Sequence, residues 1–137
     1  MAAAAEKLTA AMQKAQVEAP KVGHFPYLAE CLRQAGATKN IWQLPSAQSM
    51  FWTADGIVVI QNAPLLSGLT EVLAFDEAKL IAVLRADQAG ETTFPEFLAG
   101  AWQAGCISYT VDFNARTVIY YGAQGEEYLE TYPAVTL

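Results

Sequence analysis

TFPEFLAGAWQAGCISYTVDF, residues 93–113, contains the signals of one helix and of the strand that follows it. Thr93 and Glu96 have the spacing of a capping box, and Pro95 lies in the first turn, where its missing N–H costs nothing. Gly105 provides the left-handed conformation that commonly ends a helix. After Gly105 the apolar residues recur at every second position, which predicts a strand with one buried face.

The same arrangement occurs once more in the first half of the chain. A shift of 69 residues aligns 25–64 with 94–133 without a gap and gives eight identities. The identical positions are Phe25/Phe94, Pro26/Pro95, Gln34/Gln103, Ala35/Ala104, Gly36/Gly105, Ala54/Ala123, Gly56/Gly125 and Pro64/Pro133. Many of these are residues that begin or end elements, and Phe51-Trp52 aligns with Tyr120-Tyr121. We interpret the pattern as an internal duplication.

Each copy is predicted to be a helix-helix-three-stranded antiparallel meander unit. Additional helices are predicted over 6–17 and 76–88, the second with Asp76 as its N-cap and Gly90 at its end. The strands are predicted at 40–45, 49–53 and 57–62, and again at 107–113, 116–121 and 126–132. The predicted fold class is therefore α+β, with residues 1–137 forming a single domain of two repeats, about 6–64 and 76–133. We expect the two sheets to be packed together or joined, with helices over their outer faces.

Composition excludes some classes of partner. The chain has 137 residues, 14 acidic against 8 basic, and a net charge of −6, without a Lys/Arg cluster that could follow a phosphate backbone. We therefore expect no nucleic-acid partner. Glu6 and Lys7 interrupt the apolar start, and no stretch reaches the ~18 apolar residues of a membrane span. We expect no membrane partner and a cytoplasmic location.

Histidine and cysteine are scarce, which limits catalysis and metal binding. His24 is the only histidine and precedes Phe25-Pro26 at a predicted helix start, so a loop or cap role is favoured over a catalytic base. Cys31 and Cys106 form no CxxC pair and are predicted to be reduced, half-buried thiols. HExxH, GxSxG and Gly-rich phosphate-loop motifs are absent from the sequence. We predict no catalytic residue, no metal ligand and no cofactor.

The outward face of the first meander is apolar. The alternation places Met50, Trp52, Ile57 and Val59 on the outward side, next to a run that is apolar on both faces. Such a face has to be covered, either by the other half of the chain or by a second subunit. These four residues are the predicted interface.

The outward face of the second meander is polar if Leu129 and its neighbours face the core. The candidate ligand-binding residues are Asp112, Arg116, Tyr121, Glu126, Tyr128 and Glu130. Carboxylates beside tyrosines could carry out acid–base chemistry or hold a cationic ligand. The alternative is an ordinary solvated sheet face, on which such side chains form cross-strand pairs. Asp112 and Arg116 flank a tight turn and could pair across it.

The second copy resembles a known family. The matching residues are Thr93-Phe-Pro-Glu-Phe97, Ala104-Gly105, Ser108-Tyr-Thr-Val-Asp112, Thr117, Tyr120-Tyr-Gly122, Gly125-Glu126, Tyr128 and Tyr132-Pro133. They are similar to the YdfO-like family of small uncharacterised bacterial and prophage proteins, sometimes labelled phage envelope proteins. The resemblance covers nearly the whole chain, and it implies no activity, cofactor or catalytic residue.

Two functions are compatible with the sequence. The first is a non-enzymatic binding or protein-interaction module that associates with itself or with a protein partner. The alternative is a small-molecule-binding protein or enzyme that uses Asp112, Tyr121, Glu126 and Glu130 of the second repeat. An interaction module should show an open apolar strip, whereas an enzyme needs a concave pocket with a perturbed carboxylate.

Overall fold

A computed structural model describes residues 3–137, over which two copies of the same five elements follow one another. The helices are α1 Ala3–Glu18, α2 His24–Gln34, α3 Glu77–Gln88 and α4 Phe94–Gln103. The strands are β1 Ala37–Gln43, β2 Gln48–Thr53, β3 Gly56–Gln61, β4 Cys106–Asp112, β5 Thr117–Gly122 and β6 Glu127–Thr131. The α+β class and the duplicated helix-helix-three-strand unit are confirmed. Within 3–137 no helix is long and apolar enough to cross a membrane.

The helix ends follow from local sequence. Thr93 Oγ1 accepts a hydrogen bond from the Glu96 backbone N–H at 3.3 Å, and Glu96 Oε1 accepts from the Thr93 N–H at 2.8 Å. The predicted capping box is therefore confirmed. The Asp76 carboxylate accepts from the Lys79 N–H at 3.0 Å, as expected of an N-cap. Helix α2 begins after Gly23 without a side-chain cap, since His24 stands where the second copy has Thr93.

The six strands form one antiparallel sheet in the order β3-β2-β1-β4-β5-β6, so the two meanders are joined through β1 and β4. The central cross-strand pairs include Lys39–Asp112, Ile41–Thr110 and Gln43–Ser108. The shift of 69 residues exchanges the first and third of these pairs and maps Ile41 onto its own partner, Thr110. A pseudo-two-fold axis therefore passes between Ile41 and Thr110, and the duplication is visible in the strand register itself.

All four helices pack on one side of this sheet. The side chains on the helix-facing side are deeply buried, with Phe51 5%, Val111 1% and Val118 4% exposed. Helix α4 contributes Phe97, whose ring lies 6.2 Å from that of Tyr109. The two meanders are joined, which is one of the two arrangements that the sequence left open, whereas the expectation of helices over both outer faces is wrong. Because the meanders are joined edge to edge, one layer of helices covers one face and leaves the other open.

The last strand has a different register from its counterpart in the first copy. The β2–β3 hairpin, 53–56, turns through two residues, whereas the β5–β6 hairpin, 122–126, turns through three. Because 25–64 and 94–133 align without a gap, the third turn residue is taken from the start of the strand. Strand β6 therefore pairs one position out of phase with β3, and a one-residue slip turns every side chain to the opposite face. Leu129 is therefore 57% exposed on the helix-free side, and the prediction that it faces the core is wrong. Tyr128 and Glu130 face the helices instead.

Candidate functional site

The helix-free side of the sheet, hereafter the open face, is organised in three rows that cross all six strands. Residues directly opposite one another on neighbouring strands share a face, so the rows follow from the strand register. The Lys39 row is Ile57, Trp52, Lys39, Asp112, Thr117 and Thr131. The middle row is Val59, Met50, Ile41, Thr110, Ile119 and Leu129. The Gln43 row is Gln61, Gln48, Gln43, Ser108, Tyr121 and Glu127.

The middle row is apolar across the sheet apart from Thr110. Neighbouring strands are about 4.8 Å apart, so the row extends over about 24 Å and passes through the pseudo-two-fold axis. Its two ends are the most accessible, with Val59 53% and Leu129 57% exposed. Single exposed apolar residues are ordinary in proteins, but a contiguous row of them is typical of a binding surface.

The four predicted interface residues all lie on the open face. Met50 and Val59 belong to the middle row, and Trp52 and Ile57 lie beside them in the Lys39 row. Lys39 Nζ lies 4.2 Å from the centroid of the Trp52 ring, which is a cation–π contact that covers part of the indole. The placement of the four is as the sequence predicts, and their participation in an interface stays a prediction.

The six predicted ligand-binding residues do not form one site. Asp112 and Tyr121 lie on the open face, in different rows. Tyr128 and Glu130 lie on the opposite, helix-covered side. The remaining two, Arg116 and Glu126, lie in the turns at opposite ends of β5.

The carboxylates near the turns are used by the turns themselves. Asp112 Oδ1 accepts hydrogen bonds from the backbone N–H groups of Asn114 at 3.0 Å and Ala115 at 2.9 Å. It therefore caps the β4–β5 turn, and its pairing with Arg116 is not among the ion pairs of residues 3–137. Glu126 Oε1 similarly accepts from the Gln124 N–H at 2.8 Å. Both side chains have a structural role in this conformation.

Glu130 is the centre of a polar cluster under the helices. Its carboxylate accepts two hydrogen bonds from the Arg85 guanidinium, at 2.7 and 3.1 Å, one from Gln88 Nε2 at 3.0 Å and one from the Tyr128 hydroxyl at 2.7 Å. The Arg85 hydrogen bond is the main cause that lowers the pKa of Glu130 to about 2. The carboxylate is therefore ionised and fully engaged near neutral pH, which suits it to holding α3 against β6 rather than to proton transfer.

The thiols are more deeply buried than the sequence suggests. Cys106 is 0% exposed, and burial raises its pKa to about 11, while Cys31 is 4% exposed and its pKa is also raised by burial. Thiols in this state are poor nucleophiles. His24 is the first residue of α2, at the helix start that the sequence predicts. Among residues 3–137, no group of three or more His, Cys, Asp or Glu side chains could hold a metal ion.

A shallow cleft of about 510 Å³ lies on the first repeat between α1, α2 and the β2–β3 turn. Lys7 and Asp55, two of its lining residues, form an ion pair at 2.6 Å. None of the six predicted ligand-binding residues lines it. The cleft and the acidic side chains of the second repeat are therefore separate features.

The fold and the open face define the class of this chain: a duplicated α+β protein whose six-stranded sheet is covered by helices on one side only. The chain belongs to the DUF1398 family, "Protein of unknown function (DUF1398)", which matches residues 13–131. It is similar to "Uncharacterized protein Rv2012" of Mycobacterium tuberculosis strain H37Rv and "Uncharacterized protein Mb2035" of Mycobacterium bovis. Each is 47% identical over 135 residues, which cover 98% of this chain and 82% of the relative. These matches support an uncharacterised family and do not extend to the YdfO-like or phage-envelope label.

Proposed function

We propose that the protein is a non-enzymatic binding module that docks a protein partner on the open face of its sheet. The observation that carries this proposal is the middle row, which presents apolar side chains on five of the six strands. Covering that row removes apolar area from water, and each 100 Å² so buried is worth about 2.5 kcal/mol. The Gln43 row provides a polar margin on one side, as is typical of protein interfaces.

The geometry gives less support to the alternative, a ligand-binding protein or enzyme. Such a site would use Asp112, Tyr121, Glu126 and Glu130, which lie in separate places on both sides of the sheet. The Glu130 carboxylate is also occupied by its ion pair with Arg85. A general acid or base has to reach a substrate proton, and side chains on opposite sides of the sheet cannot converge on one substrate.

We also propose a single domain, no nucleic-acid partner and a cytoplasmic location. The union of both repeats in one sheet supports a single domain over residues 1–137. The net charge of −6 argues against a nucleic-acid partner. A cytoplasmic location and a relation to YdfO-like phage proteins are predictions from the sequence, and the proposed binding function depends on neither.

The test uses bis-ANS, a dye that fluoresces on accessible apolar surface, with the full chain at high dilution. The wild type should enhance the fluorescence, and Ile41→Lys/Ile119→Lys in the middle row should lose most of that enhancement. The matched control is Gln43→Lys/Thr117→Lys, which adds the same charges to the same strands in the outer rows and should keep it. Circular dichroism verifies that the variants are folded. If the double variant Ile41→Lys/Ile119→Lys does not fold, the single variant Ile119→Lys is used in its place. Equal fluorescence in wild type, variant and control would refute the proposal.

A further inference from the structure

The open face has the pattern of a self-complementary surface. Resting on the proposed function, we infer that its partner is a second copy of this chain, stacked face to face about a two-fold axis parallel to the central strands. A closed two-fold interface needs one patch that complements itself when rotated.

Two rotations in the plane of the sheet could relate the copies. An axis parallel to β1 and β4, over the midpoint between Ile41 and Thr110, exchanges β1 with β4, β2 with β5 and β3 with β6. Every row then lies over the same row of the second copy. An axis along the middle row instead keeps each strand over itself and places the Lys39 row over the Gln43 row.

Charge complementarity selects the first of these rotations. With the axis parallel to the strands, Lys39 lies over Asp112 of the second copy, and Asp112 lies over Lys39 of the second copy. Opposite charges then meet twice at the centre of the interface. With the axis along the middle row, Lys39 lies over Gln43 and Asp112 over Ser108, so neither charge meets an opposite charge of the second copy when the interface is desolvated. Facing charges of opposite sign fix the register of an interface and exclude the alternatives.

Four outer residues of the middle row meet apolar partners under the same rotation, while Ile41 lies over Thr110 at the axis. Met50 lies over Ile119 of the second copy, and Val59 lies over Leu129, on both sides of the axis. In these contacts the first repeat supplies one side chain and the second repeat supplies the other, whereas Trp52 and Ile57 lie over Thr117 and Thr131. The polar Gln43 row lies over itself and forms one margin.

The size of the face fits a reversible dimer. Six strands about 4.8 Å apart and three rows about 6.8 Å apart give a projected face of roughly 600 Å². Two such faces bury roughly 1,200 Å², which is at the lower end of stable interfaces and well below obligate ones. We therefore expect monomer and dimer in exchange, with the dimer dominant at high protein concentration.

The first experiment measures the mass of the full chain by light scattering over a dilution series. The wild type should pass from monomer to dimer, and Ile119→Lys should stay monomeric. Lys39→Asp and Asp112→Lys should each weaken self-association by roughly tenfold or more, because like charges then face each other at the axis. An equimolar mixture of these two variants should recover a dimer, since all facing charges are again opposite. The control Lys79→Asp changes the same charge on the exposed surface of α3 and should leave association unchanged.

The second experiment measures the geometry with a spin label on Val59→Cys, since both native cysteines are buried. The inferred axis places the two labels on opposite edges, about 24 Å apart across the strands, whereas the other axis stacks them about 10 Å apart. A dimer with the short distance would overturn the inferred arrangement. So would a mixture of the two charge variants that fails to associate.

Failure of the inference can be told apart from failure of the proposed function. A wild type that stays monomeric at every concentration but binds bis-ANS through the middle row would refute self-association and leave the binding surface intact. A wild type that is monomeric and gives the same bis-ANS fluorescence as the middle-row variant would refute both.

Discussion

Replacing Glu130 with Gln should destabilise the fold by about 1–2 kcal/mol at neutral pH. The lowering of the Glu130 pKa from its ordinary value of 4.5 to about 2 corresponds to about 3 kcal/mol of interaction with the ionised form. The Arg85 side chain is 52% exposed, and solvent screens part of this energy, which reduces the expected loss to that range. Glutamine keeps the size of the side chain, so the change removes the charge and replaces one of the two acceptor oxygens with a donor without leaving a cavity.

The assay is urea unfolding of wild type and Glu130→Gln at pH 7 and again near pH 2. Because the folded-state pKa is lowered, the stabilisation is fully present above the ordinary pKa and is lost as pH falls towards about 2. The difference between the two proteins should therefore be large at neutral pH and small in acid. Glu127→Gln, on the same strand but exposed on the open face, is the control and should change stability little. A Glu130→Gln protein as stable as Glu127→Gln at pH 7 would refute the reasoning.

Three other experiments test the fold. Gly105→Ala should lower the free energy of unfolding by several kcal/mol, because φ is +85° and a Cβ would lie 2.4 Å from a backbone oxygen. Gly125→Ala, with φ +86° and no atom within 4 Å, should lower it by only about 1–2 kcal/mol. Equal thermal stability of the two variants would contradict this expectation. Ser49→Ala should cost about 1 kcal/mol, because the buried Asn40 amide loses the acceptor 2.8 Å away, and an unchanged urea midpoint would argue otherwise. Cys106 should react with a thiol reagent only when the protein unfolds, since it is 0% exposed, so rapid native-state labelling is the contrary result.

The sequence predicts those parts of the structure that depend on neighbouring residues. The capping box at Thr93 and Glu96, the N-cap at Asp76 and the positive φ of Gly105 all involve residues within one turn, and all are confirmed. The duplication is also visible, because copied caps and turns keep their spacing. These signals locate the elements without showing how the two units meet.

Features that depend on distant contacts could not be predicted in the same way. The sequence left two arrangements of the sheets open, packed together or joined. Nothing local predicts that β1 pairs with β4, since either strand could equally have been an edge strand. The segment 127–131 fits two registers, one with Leu129 towards the core and one with Tyr128 and Glu130 towards it. Only the length of the preceding turn decides between them. The partner of Glu130 is Arg85, 45 residues away, and no local pattern connects them. The candidate ligand-binding set therefore combined residues from both faces of the sheet.

The longer turn at 122–126 links loop length to surface chemistry. In the first copy Ile60 faces the helices, and in the second copy that position is taken by Glu130, while Leu129 is turned out to complete the apolar row at the far edge. A one-residue difference in the length of a solvent-exposed turn thus determines which alternate side chains a whole strand displays. Duplicated folds can in this way give two sister modules unlike exteriors while their backbones remain alike.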